Sequence, residues 1–163
     1  MGLTAAVIGS FKQHNQRIQD VCNLLRKESV TVSSPVGCKI IAEGVEFVRY
    51  ESDDPAITDH EVQSIAMHRI LNTDFVYVVA PAGYIGRTTC YEIGRIIQAR
   101  HPLYFSERPL DLPIQIPVEY IKSPTELLEL VNNPKWVPSW LFDKALNSAA
   151  ELERELICAK LRT

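Results

Sequence analysis

The sequence predicts an α/β protein built on a doubly wound parallel sheet, and three observations carry that prediction. Short apolar runs of strand type alternate with segments of helical periodicity, the order that a parallel sheet with right-handed crossover helices produces. One run, "DFVYVVA" at residues 74–80, is nearly all apolar, as a central strand covered on both faces has to be. Gly-containing loops follow "LTAAVIGS" and "DFVYVVA", at the carboxyl ends of strands, where open sheets hold ligands.

The elements follow in order. "LTAAVIGS" is a first strand ending in a tight Gly-Ser loop. Ile18, Val21, Cys22, Leu24 and Leu25 recur at helical spacing and predict a helix over Asn15–Lys27. "VTVSSP" is a second strand, stopped by Pro35, and "VEFVRY" a third, with "ESDDP" as its loop. "TDHE" is a capping box at Thr58 and Glu61, opening a helix with Val62, Ile65, Ala66 and Ile70 on its apolar face. After "DFVYVVA" come the loop "PAGYIGRTT", a helix through "YEIGRIIQAR" and the strand "PLYFS". "ERPLDLPIQIP" is an extended connector, "SPTELLELVNN" a short helix with Ser123 as N-cap and Pro124 at its first position, and "PKWVPSW" a second irregular link. A long C-terminal helix is expected to carry the stripe Leu141, Ala145, Ala149, Leu152 and Leu156, which either packs on its own domain or contacts a second copy. Trp136 and Trp140 read as packing anchors.

Composition bounds the function. At 163 residues, 46% hydrophobic and 23% charged, the chain has about one domain's length and enough apolar content for a core. A net charge of −3 without a basic cluster argues against a nucleic-acid groove or an anionic membrane surface. Cys22, Cys38, Cys90 and Cys158 match no metal spacing and read as small apolar residues of a reducing compartment. With no basic leader and no segment long enough to span a bilayer, the expectation is a soluble cytoplasmic protein.

The candidate site lies in two loops. "GSFKQHN" supplies Gly9, Ser10 and Phe11; "GYIGRTT" supplies Gly83, Tyr84, Ile85, Gly86, Arg87, Thr88 and Thr89 ahead of a helix N-terminus. Arg87 suits bidentate phosphate recognition, or else is a surface arginine screening Glu92. Glu92 has two compatible readings. Thr89 and Glu92 form a second Thr-x-x-Glu pair, so the carboxylate caps the helix; held ionised by the helix dipole, it also suits a nucleophile. Asp53 and Asp54, beside Pro55, read as turn residues. His60 and His68 read as solvated helix residues, and His14 as either helix-start surface or a phosphate contact.

"AAVIGSF" together with "NTDFVYVVAPAGYIGRTTCYEIGRIIQARHPLYF" resembles the nucleoside 2-deoxyribosyltransferase family and its nucleotide N-glycosidase relatives, over about residues 3–107. The resemblance implies a three-layer Rossmann-like (flavodoxin-like) sandwich, with residues 1–135 as a nucleoside-binding domain, residues 136–163 as a helical extension, and assembly as a dimer or larger homo-oligomer. It implies N-glycosidic bond cleavage or transfer on a nucleoside or nucleotide, with Glu92 attacking C1′ and the sugar or its 5′ substituent cradled by Gly83–Thr89. Ser10 and Phe11 line the base and sugar pocket; no metal or organic cofactor is implied. The chain departs from the family at Gly86 and Ala66, where aspartates are usual, and at Ala6, where tyrosine is frequent. Those departures support an alternative, a nucleotide-binding module of the same fold with little or no turnover.

Overall fold

A computed structural model of the chain describes residues 2–37, 39–41, 48–144 and 146–159. It contains β1 (Thr4–Gly9), α1 (Phe11–Lys27), β2 (Thr31–Ser34), α2 (Asp59–Leu71), β3 (Phe75–Val79), α3 (Arg87–Gln98), β4 (Leu103–Phe105), α4 (Pro124–Val131) and α5 (Ser148–Ile157). The sheet is parallel throughout, in the order β2-β1-β3-β4. The chain is thus an α/β protein of the Rossmann-like, three-layer type, as the alternation of elements requires.

The two inner strands are the most apolar, for the reason that predicted them. Ala5 to Ile8 of β1 and Phe75 to Val79 of β3 are all buried, so both faces of each strand meet side chains. Each fully buried Val, Ile or Phe there contributes roughly 1.5–3 kcal/mol over its exposed state. Register runs from Ala5 opposite Phe75 to Gly9 opposite Val79. At its start the pair is clamped by Asp74, whose Oδ2 accepts from the Thr4 amide at 2.7 Å and the Thr4 hydroxyl at 2.8 Å. At its end Gly9 is obligatory on steric grounds, because a Cβ there would lie 2.7 Å from the Val79 carbonyl oxygen. β1 leads outward to β2 while β3 returns on the other side of β1, so the order reverses between β1 and β3 and a crevice opens beyond their carboxyl ends.

Several local expectations hold. The Thr58–Glu61 capping box is closed on both sides, with Glu61 Oε2 accepting from the Thr58 amide at 2.7 Å. Ser123 caps α4 with Pro124 in its first turn, and Glu126 completes a further box. Pro35 follows the last residue of β2. Trp136 packs edge-on against Phe75 and donates to the Tyr104 hydroxyl, and Trp140 lies under Arg100.

Others are corrected. α1 begins at Phe11, not Asn15, because the Ser10 carbonyl accepts from both Gln13 and His14; His14 itself departs from helical geometry and kinks the helix. Of the expected strand 45–50, residues 45–47 lie outside the described residues, and 48–50 add nothing to the parallel sheet. Tyr50 makes one antiparallel bridge with Ile40, while the Arg49 guanidinium is drawn to Asp59 and to the Ile57 carbonyl. α3 starts at Arg87, so Arg87, Thr88 and Thr89 occupy its first turn instead of a loop.

The C-terminal stripe is broken up. Asn147 starts α5 by accepting from the Ala150 amide, making it shorter than expected and setting its rotation. Ala150 and Ile157 turn inward, whereas Leu152 and Leu156 are exposed at 66% and 50%. Leu141 precedes the helix and is buried with Phe142 in the common core; Ala145 lies outside the described residues. Among the described residues, no helix is long and apolar enough to cross a membrane.

Candidate active site

A cavity of about 400 Å³ occupies the crevice beyond β1 and β3. One wall is the turn from β1 into α1, with Gly9, Ser10 and Phe11; a second is the start of α3, with Gly86, Arg87, Thr88 and Thr89. These walls touch, since a Cβ built on Gly86 would stand 3.4 Å from Ser10 Oγ. α2 forms the third wall. Its apolar face Val62, Ile65, Ala66 and Ile70 borders the cavity, while Ile70 together with Met67 also packs into the core.

Nine of the eleven predicted site residues line this space: Gly9, Ser10, Phe11, Tyr84, Gly86, Arg87, Thr88, Thr89 and Glu92. Gly83 and Ile85 do not. Gly83 has φ +75° and packs with its back to the Arg108 carbonyl, 2.6 Å from where a Cβ would be, so it serves the turn and not a ligand. Ile85 is buried in the core, and its amide donates to Asp111. His14 stacks edge-on against Tyr84 at 5.9 Å and is not part of the lining. His60 and His68 are exposed, as expected. Asp53 and Asp54 are turn residues that accept from the Tyr50 and Ala56 amides, yet both also line the cavity.

Glu92 is the buried carboxyl of this cavity. It is not a cap: the N-cap of α3 is Gly86, Thr89 lies inside the first turn, and Glu92 falls in the second turn, 7% exposed. Its Oε1 accepts from Gln63 Nε2 of α2 at 2.9 Å. Among the described residues this is its only hydrogen bond, and no salt bridge reaches it. Burial without a cation disfavours the charged form, and the carboxyl is pushed up to about 7, the Gln63 bond opposing that rise only in part. Glu92 lies in the second turn, past the free amides of the helix start, so burial and not the expected hold of the helix dipole governs the carboxyl.

Two hydroxyls complete the polar side. Ser10 is 8% exposed and Thr89 2%, and among the described residues neither side chain has a hydrogen-bond partner. Both residues open on the cavity beside a helix N-terminus, where such hydroxyls suit a polar ligand. Phe11 and Tyr50, edge to face at 5.6 Å, with Val62 and Ile70, form the apolar side.

Sequence reasoning missed Gln63, Tyr50 and Arg69 as cavity residues. Arg69 sits one position before the apolar Ile70, and no local signal separates it from a solvated arginine; Gln63 meets Glu92 from another helix, 29 residues away in sequence.

No protein-family model, no curated protein and no solved structure matches the chain.

Proposed function

We propose that the chain breaks the N-glycosidic bond of a nucleoside 5′-monophosphate, with Glu92 as nucleophile. The observation that carries this reading is a buried carboxyl, tuned to about 7 and held by a neutral amide, in a cavity with one apolar and one polar side. The motif resemblance over residues 3–107 supports the same assignment. The apolar side, with Phe11 and Tyr50, suits a base. The Ser10 and Thr89 hydroxyls, the amides at the start of α3, and Arg69 and Arg87 suit a phosphorylated sugar.

In the proposed step a carboxylate oxygen of Glu92 bonds to C1′ as the C1′–N bond breaks and its electron pair leaves with the base. The departing base takes a proton from water. Water, or a second base, then attacks C1′, the ester to Glu92 breaks, and the carboxylate returns.

The test is base release from a panel of nucleosides and 5′-monophosphates, followed by chromatography for wild type and Glu92→Gln. Release by wild type from a monophosphate, lost in the variant, is the expected result. If neither protein turns over any substrate, yet a nucleotide raises the melting temperature of both, the cavity is a binding site and the catalytic reading is wrong.

A further inference from the structure

Glu92 has four lone-pair positions on two oxygens, and only Oε1 is engaged among the described residues. The engaging group comes from another helix. Gln63 stands 29 residues earlier, on α2, and is partly buried at the cavity wall. A carboxylate free to rotate presents either oxygen in any orientation, whereas one pinned at Oε1 presents Oε2 in a fixed direction. We propose that Gln63 is the positioning residue of Glu92: its amide holds Oε1 and leaves Oε2 to the cavity as the attacking oxygen.

This rests on the glycosidic reading above and deepens it. The choice of side chain has chemical content. An amide donates a hydrogen bond without titrating, so it favours the ionised carboxyl while supplying no proton that would quench it. An arginine at position 63 would hold Glu92 ionised far more strongly and make it a poorer nucleophile; a carboxyl there would compete with it for one proton. The positions at which the resembling family carries polar side chains offer nothing comparable here: Ala6 is fully buried within β1, and Gly86 has no side chain. The hold on Glu92 comes from α2 instead.

The other charges on the same cavity are Arg69 of α2, Arg87 of α3, Lys12 of α1, and Asp53 and Asp54 ahead of α2. They are the same in wild type and in Gln63→Met, so the difference between the two reports the amide.

The experiment follows the Glu92 carboxyl carbon by NMR across pH in protein labelled at glutamate, the signal being assigned by its loss in Glu92→Gln. Gln63→Met keeps the length of the side chain and removes the donor. Its expected effect is an upward move of the Glu92 midpoint by about one pH unit, roughly a tenfold smaller carboxylate fraction below the midpoint. The acid limb of base release should move by the same amount, with kcat regained at high pH and KM little changed. Gln63→Glu keeps the shape and sets two carboxyls against each other, so the Glu92 midpoint should rise further and split into two steps. A wild-type midpoint in either folded variant overturns the proposal and makes Gln63 a packing residue. Should wild type release no base from any substrate, the glycosidic reading fails alone, and the midpoint still decides whether Gln63 holds Glu92.

Discussion

Ser10 and Gly86 stand against each other across the mouth of the cavity, with 3.4 Å between Ser10 Oγ and the point where a Cβ on Gly86 would be. The contact joins the end of β1 to the start of α3. Gly86 has φ −76° and ψ 167°, an extended conformation open to any residue, so its backbone does not require glycine. Gly86→Ala should therefore leave stability unchanged or raise it by about 0.5–1 kcal/mol, since alanine restricts the unfolded chain. The added methyl nevertheless fills the space up to van der Waals contact with the Ser10 hydroxyl and narrows the polar side. The expected result is an unchanged or higher melting temperature with several-fold weaker nucleotide binding by calorimetry. Unaltered affinity would mean that ligands do not pass between Ser10 and Gly86.

Glu92 makes a pH-dependent contribution whose sign can be worked out. Its folded value of about 7 lies above the ordinary 4.5, so between those values the native state binds more protons than the unfolded chain. Stability attributable to Glu92 is then greatest below about pH 4.5 and falls as pH rises to about 7, after which the loss is constant. The loss is roughly 3 kcal/mol at most. Glu92→Gln removes it, so the variant should melt several degrees above wild type at pH 8 and no higher than wild type at pH 4.5. Equal melting curves at both pH values would show that Glu92 titrates as an ordinary exposed carboxyl. A residue that is retained at a stability cost, and whose removal abolishes turnover, is the pattern of a functional site.

Phe142 tests whether residues 136–163 belong to the fold. It is 1% exposed and packs in the same core as the sheet. Phe142→Ala should cost about 3–5 kcal/mol, read by denaturant unfolding. By contrast, Leu152→Ser with Leu156→Ser alters two exposed positions of α5 and should leave stability within about 0.5 kcal/mol. Sedimentation of that double variant then isolates whether the exposed leucines join two copies, which truncation after Pro138 cannot do because it also removes Leu141 and Phe142.

What was legible in the sequence was local or nearly so. The Thr58–Glu61 box and the Ser123–Pro124 helix start each lie within four residues, and the all-apolar run of β3 needs only its own side chains to declare it central. Glu92 was singled out from sequence and does line the cavity, but the partner assigned to it, Thr89, is the one that proximity in sequence offers. Its actual partner, Gln63, lies 29 residues away on another helix. Periodicity also grouped Val62, Ile65, Ala66 and Ile70 on one face without showing which of them meet protein and which a cavity. The stripe over Leu141–Leu156 failed for a related reason: a repeat assumes one continuous helix, and Asn147 starts the helix six residues late.

The face of α2 has one more consequence. Ile65 is exposed and Ala66 half-buried on the side that borders the cavity, so this part of the helix lacks the neighbours that an interior helix normally has there. A base lying there would supply them, becoming for the length of its stay a piece of the protein's own interior. Recognition and consolidation would then be one event, with the guest acting as the missing side chain of a core the polypeptide leaves unfinished.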